Sequence, residues 1–524
     1  MLVGYVADER YLALSDVVVD FTSQDGTLTT ARSSAGGAIV ADIQPGTYRV
    51  TLNREGFGPK TVDVELSASE PYLFRLLANR LLGYAWPKWV KTGERSEFRV
   101  HSVHAYRLSL WRYGLKREQV KLIGWFDEHG PRATMQVTPD GDYTQTGVEW
   151  NKRGYASKHH TQFMAGPEKS GLYYFHAETE EGEFFTFPWV VAPAVPSARI
   201  AVLASTNTWN AYNNFGGRSN YINATSLPVR PVANARLEMT RYLAGTYNEW
   251  QFADDLYQPL SFDRPEPLNA VLREEEATDP IRGRQPCHLA PAEWRLLAWL
   301  EREGFDYDFY SESQLHYGQL PLDSYDVLML SSHPEYWSAE MYRQVKEWVF
   351  ERGGRLMYLA GNGINCEVEF LDPDRLWFKS YVKPGEESRF GRTVESEANL
   401  LGVAYTEAGI MTAAPYEVLD EHHWVFKGTG LKNGDHFGFE SLHERIPGGA
   451  SGHETDKRTP SSPANLELIA RGLNPDKGGA EMVYHEPGGG GAVFSAGSIT
   501  WPACVLVDPH ISRITRNVLE RFLV

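Results

Sequence analysis

The stretch LMLSSHPEYWS, residues 328–338, places His333 and Glu335 two positions apart with Pro334 between them. An imidazole changes its charge near neutral pH, and a carboxylate is a proton acceptor or a hard oxygen ligand. Held together by a proline of fixed φ, such a pair could move a proton or hold a cation. Three further stretches carry similar residue types: STNTWNAYNNFGGRSNYIN from Ser205, GNGINCEVEF from Gly361 and GSITWP from Gly497. Taken singly, each residue also has an ordinary explanation. Asn207, Asn210, Asn213 and Asn214 suit turns, Tyr212 and Tyr221 suit a packed core, and His333 suits a structural hydrogen bond. Glu335 could favour a helix N-terminus, but it precedes Ser338, the residue expected to cap that helix.

These stretches share a position in the chain. Each follows a short apolar run that reads as a strand: Ala198–Ala204, Tyr325–Leu330, Arg355–Ala360 and Ala492–Ala496. Helices are expected between them. One begins at Pro291 and ends near Gly304; another runs from about Ala339 to Arg352, with Met341, Val345, Trp348 and Val349 on one face and Gly353-Gly354 as its stop. Strands alternating with single helices imply a parallel sheet with right-handed crossovers. Ligands bind outside the carboxyl ends of strands in such sheets, so four polar loops would meet at one edge.

The region before this sheet reads differently. Residues 1–78 show strand alternation in SDVVVDFTS, GTYRVTLN and KTVDVEL, and PGTYRVTLNREGFGPKTVDVEL resembles a prealbumin-like β-sandwich. Residues 79–195 read as a second β-rich, immunoglobulin-like domain, closed by the proline-rich APAVPSA. The fold class expected is multidomain: two N-terminal β-sandwich-like domains, then a three-layer α/β domain over 196–524 with a mostly parallel, glutamine-amidotransferase-like sheet.

Composition narrows the partners. The net charge is −17 and no basic block occurs, which argues against nucleic acid and anionic membrane surfaces. Three widely spaced cysteines, Cys287, Cys366 and Cys504, do not form a disulfide framework. With no leader-like N-terminus and no membrane-length apolar run, a cytoplasmic protein is expected. Cys366 lies too far beyond its strand for a nucleophile elbow, and no G-x-S-x-G occurs. His333, Glu335, His422 and His423 match no familiar zinc spacing.

STNTWNAYNNFGGRSNY, SSHPEYWS, GRLMYLAGNG and GGASGHETD, in this order, resemble the large (beta) subunit family of N,N-dimethylformamidase over roughly residues 80–524. The resemblance implies an amidohydrolase of linear amides with one ferric ion held by two tyrosines and a glutamate. Carried over by motif, Glu335 is the carboxylate ligand, Tyr212 the first tyrosine and Tyr221 the second, with Tyr257 as the alternative. His333 and Asn362 occupy substrate-orienting positions, and Glu454 is the general base. Two phenolates and a carboxylate are hard anionic oxygens suited to a ferric ion. A dialkylamide has no N–H, so Trp209 and Trp501 are expected as apolar walls. The partners implied are a small amide substrate, a small subunit and further copies of the chain in a homo-oligomer. The rival reading is a non-catalytic ligand- or carbohydrate-binding protein on an inactive amidotransferase-like fold.

Overall fold

The computed structural model describes residues 1–126, 163–216, 219–221, 230–231, 258–270, 288–379 and 387–524. The chain opens with β-structure. Strands Val18–Ser23, Leu28–Arg32, Gly46–Asn53 and Lys60–Leu66 form one antiparallel sheet, and Leu2–Ala7 pairs with Ala38–Val40 and Tyr72–Arg75 in another. Alternation sends Val19, Phe21, Val50 and Leu52 into a core shared with Val6 and Phe74.

A second β-region follows. Tyr106–Tyr113, Arg117–Phe126, Gly171–Thr179, Phe184–Ala192 and Trp89–Lys91 make a five-stranded sheet. Leu82–Trp86, Arg95–His101 and Phe163–Ala165 make a smaller one. Phe98, Phe175 and Trp189 fill the core of this region, and the indole of Trp189 donates to Ser96 Oγ at 2.8 Å. Buried indoles need such a partner.

The rest of the chain is organised by a nine-stranded sheet. Asp308–Ser311, Ile200–Ala204, Val327–Ser332, Arg355–Ala360 and Ala492–Ser495 lie side by side and parallel. Glu481–His485, Glu467–Gly472, Tyr416–Val418 and His436–Phe437 extend it antiparallel. The sheet is therefore mixed, where a mostly parallel one is expected from sequence. Its antiparallel part begins with a hairpin, because the short connection between His485 and Ala492 cannot make a parallel crossover.

Both faces of the parallel part are covered. Val202, Met329 and Met357 pack with the Ala290–Glu303 and Pro509–Phe522 helices, whereas Leu203, Leu328 and Leu356 pack with the Ala339–Glu351 helix. Neighbouring residues of one strand thus enter opposite cores, as period-two geometry requires. The Ala290–Glu303 helix carries Pro291 in its first turn and ends at Gly304, whose φ is 82°. Ser338 caps the Ala339–Glu351 helix by accepting from Met341 N–H at 3.2 Å. No helix among the described residues is long and apolar enough to cross a membrane.

Candidate active site

The strand expected to stop before Ser331 continues through Ser332, because both serines pair in register with Leu359 and Ala360. The chain then turns sharply, and Ser332 takes a φ of 58°. Asn362, Ile364 and His453 also have positive φ, at 49°, 54° and 64°. Non-glycine residues rarely adopt this region, and its concentration here shows tertiary contacts overriding local preference.

Those contacts can be named. Thr208, on the Thr206–Tyr212 helix, donates its hydroxyl to His333 O at 2.7 Å and accepts from Glu335 N–H at 3.1 Å. One threonine thereby holds the His-Pro-Glu turn from both sides. Gly361 provides the second anchor. A Cβ there would lie 2.4 Å from Glu454 O and 2.6 Å from Ile499 N, so only glycine lets the three loops approach. Gly361 O accepts from His333 Nδ1 at 3.0 Å.

The side chains then converge on His333. Its Nε2 lies 3.0 Å from Glu335 Oε2, 3.6 Å from Glu454 Oε2 and 3.5 Å from Tyr212 Oη. Because Nδ1 donates to a carbonyl and Nε2 faces two carboxylates, the ring is held as an imidazolium. Burial alone lowers the pKa of His333, but Glu335 and then Glu454 reverse this and raise it to about 9. Burial opposes ionisation of Glu335, yet His333 outweighs it and holds the carboxyl below its ordinary value.

Tyr221 completes the oxygen set. Its hydroxyl donates to Glu335 Oε2 at 3.0 Å and lies 2.6 Å from Tyr336 Oη, which accepts from Asn220 Nδ2 at 3.1 Å. The rings of Tyr212 and Tyr221 are 4.4 Å apart between centroids. Burial, then the charge of Glu335, push the Tyr221 phenol well above its ordinary pKa. Such a phenol ionises only beside a strong positive charge. Two phenols and one carboxylate are a donor set that fits a ferric ion by this criterion, and Tyr212, Tyr221 and Glu335 are the residues that could hold it.

Glu454 sits between the short strands Ser451–Gly452 and Thr455–Lys457. Asn362 Nδ2 donates to its Oε2 at 2.8 Å. The Glu454 side chain keeps 14% of its exposure, so water can reach a carboxylate whose neighbours are otherwise buried. Asp456 fixes Asn362 in turn: its Oδ1 accepts from Asn362 N–H at 2.8 Å, and its Oδ2 from the Tyr358 hydroxyl at 2.7 Å.

Six of the residues singled out from sequence thus share one cluster: Tyr212, Tyr221, His333, Glu335, Asn362 and Glu454. The two tryptophans do not join it. Trp209 turns toward the β-region and lines a small cavity with Lys88, Trp89 and Phe262. Trp501 is core: its indole donates to Thr515 Oγ1 at 3.2 Å, and its ring meets Tyr416 and Phe494 edge-on. Both are apolar anchors for helix packing, a role that residue type alone does not separate from lining a pocket. Tyr257 lies outside the described residues.

Sequence reasoning missed several neighbours. Tyr336 was inside the quoted stretch, but only the sheet pairing of Tyr336–Trp337 with Cys366–Glu367 aims its hydroxyl at Tyr221. Three histidines also line the cluster. His288 stacks edge-on against Tyr212, His333 and His453, and His453 Nδ1 lies 3.2 Å from His443 Nε2. Burial, then mutual repulsion, hold His288 and His453 well below the ordinary imidazole value. His453 stood beside Glu454 in the GHETD motif, whereas His288 carried no local signal.

Residues 102–511 match the family model described as "N,N-dimethylformamidase beta subunit-like, C-terminal". The N,N-dimethylformamidase beta subunit of Paracoccus aminophilus is 28% identical over 97% of this chain and 76% of that protein. The beta subunit from an Alcaligenes species is 26% identical over 47% of this chain and 39% of that protein. Among solved structures, the Bacillus anthracis TIE protein overlaps 39% of this chain and 36% of its own with a TM-score of 0.12 and 14% identity, too slight a likeness to inform the fold. The family match spans most of the chain, including all nine strands of the large sheet and all six clustered residues: the chain belongs to the N,N-dimethylformamidase beta subunit-like family.

Proposed function

We propose that the chain hydrolyses a small, formamide-like linear amide, with a mononuclear ferric ion held by Tyr212, Tyr221 and Glu335. The observation that carries this reading is the gathering of two carboxylates and the Tyr212 phenol around one buried imidazolium, with the Tyr221 phenol bonded to one of those carboxylates and the other carboxylate open to water. The relatives' name, N,N-dimethylformamidase, supports the amide class. When bound, the ion would supply a Lewis acid that polarises the amide carbonyl and acidifies water.

This chain's residues account for the proton traffic. Glu454 takes a proton from the attacking water and returns it to the nitrogen as the C–N bond breaks, giving the carboxylic acid and the amine. Asn362 orients Glu454 through its 2.8 Å bond. His333 offers an N–H where negative charge develops on the former carbonyl oxygen. The Tyr336 hydroxyl, 2.6 Å from Tyr221 Oη, is placed to donate to that oxygen once Tyr221 is ionised.

The relatives' designation as a beta subunit supports a partner subunit, and we extend the proposal to that partner and to a cytoplasmic location. The test of the function is release of amine and formate from small formamides by iron-supplied protein. Release that vanishes in Glu454→Gln while iron is retained supports the reading, and no release from any formamide overturns it.

A further inference from the structure

The walls beside the cluster are polar, where apolar ones suit a fully substituted amide. Two of their groups lack partners. Asn362 must turn Nδ2 toward Glu454, because a carboxylate only accepts; this fixes Oδ1 on the other side. Asn362 Oδ1 is buried and has no hydrogen-bond partner among the described residues. His288 is only 4% exposed, and neither of its ring nitrogens has a partner among the described residues. It is enclosed by Tyr212, His333 and His453, with ring centroids 4.8–5.2 Å away.

The neighbouring imidazoles are oriented by a chain of bonds. Ile446 N–H donates to His443 Nδ1 at 3.1 Å, so that nitrogen carries no proton and His443 Nε2 must. His443 Nε2 donates to His453 Nδ1 at 3.2 Å, which leaves the proton of His453 on Nε2. The backbone of His453 is held in its strained φ by two bonds, from its N–H to Thr412 O and from Met411 N–H to its carbonyl. The fold thus spends strain on presenting a neutral N–H of fixed tautomer beside His288.

Orphaned buried polar groups destabilise a structure unless something completes them. Asn362 Oδ1 is an acceptor beside the proposed general base, and the His288 ring, packed against His333 and His453, offers a donor and an acceptor; an amide that carries an N–H has the groups to complete them. We propose that the amide taken by this site carries at least one N–H, recognised by Asn362 Oδ1 and His288, so that primary and secondary amides are preferred over N,N-disubstituted ones. This inference rests on the hydrolase reading for its chemistry but concerns recognition, which can be measured separately. A site built to hydrogen-bond a substrate N–H discriminates strongly against the analogue lacking it.

The experiment compares kcat/KM for formamide, N-methylformamide and N,N-dimethylformamide on iron-supplied wild-type protein and His288→Phe. Ligand-observed NMR of acetamide and N,N-dimethylacetamide binding runs beside it. The expected result is a preference of about 10- to 100-fold for the N–H amides, lost in His288→Phe because only their values fall. His288→Leu carries the same expectation if the phenylalanine variant does not fold. N,N-dimethylformamide as the equal or better substrate of the wild type overturns the proposal. So does a variant that lowers all three values alike. If no formamide is cleaved, the hydrolase reading fails, and the NMR arm decides recognition. Stronger binding of acetamide that His288→Phe erases then supports the proposal, and equal or absent binding of both acetamides overturns it.

Discussion

Asp456 tests the electrostatics beneath the site. It is buried and accepts from Asn362 N–H and the Tyr358 hydroxyl. Burial raises its pKa from 3.8 to about 7, against the opposing pull of the Tyr358 and Asn362 hydrogen bonds. In the unfolded chain the carboxyl loses its proton near 3.8, whereas in the fold it keeps it to about 7. Between those values the folded state holds the extra proton, so stability falls as pH rises, by up to about 1.4 kcal/mol per pH unit. The whole window amounts to about 4 kcal/mol, and the loss levels off above about pH 7. Asp456→Asn does not titrate. It keeps one acceptor but turns an amide toward a donor, so its own stability is lowered by about 1–3 kcal/mol and does not follow this titration. Urea denaturation of both proteins between about pH 5 and pH 7 should therefore show the variant's deficit shrinking by about 2 kcal/mol as pH rises and the wild type loses stability. Parallel pH profiles would refute the buried, proton-retaining carboxyl.

Three further outcomes follow from the geometry. Glu454→Gln keeps an oxygen for Asn362 to donate to but cannot accept water's proton, so kcat should fall by about 10²–10⁴-fold with iron content unchanged, read by formate release and metal analysis. Trp501→Phe loses the Thr515 hydrogen bond and core contacts, so it should lower stability by about 1–3 kcal/mol while the ratio of kcat/KM between amides stays at the wild-type value. Gly361→Ala places a Cβ 2.4 Å from Glu454 O. It should separate the loops, costing about 1–3 kcal/mol of stability in denaturant titration and lowering kcat.

Much of the sheet was legible in sequence because its parallel strands are short apolar runs bounded by turn residues and capped helices. The Ala339–Glu351 helix, with Ser338 as its cap and glycines after it, shows local signals agreeing with the fold. The antiparallel half was not legible in the same way. Glu467–Gly472 and Tyr416–Val418 have mixed burial and no flanking helices to reveal their direction. At the site, the rule that ligands gather at strand carboxyl ends located the His-Pro-Glu turn and the Asn362 loop. Motif resemblance supplied Glu454, which sits on no major strand. What neither route supplied was contact across distant segments. Thr208, His288 and Tyr336 acquire their roles only when the loops meet, and Trp209 and Trp501 show that an aromatic in a polar loop can still turn inward to the core.

In the proposed site, two phenols and a carboxylate hold one ferric ion. Metal analysis and the visible spectrum of protein produced with ample iron test it most directly. About one iron per chain and a phenolate-to-iron absorption band are expected, both lost in Tyr212→Phe, Tyr221→Phe and Glu335→Ala. A colourless, iron-free protein, or a Tyr221→Phe variant with undiminished iron and colour, would contradict it.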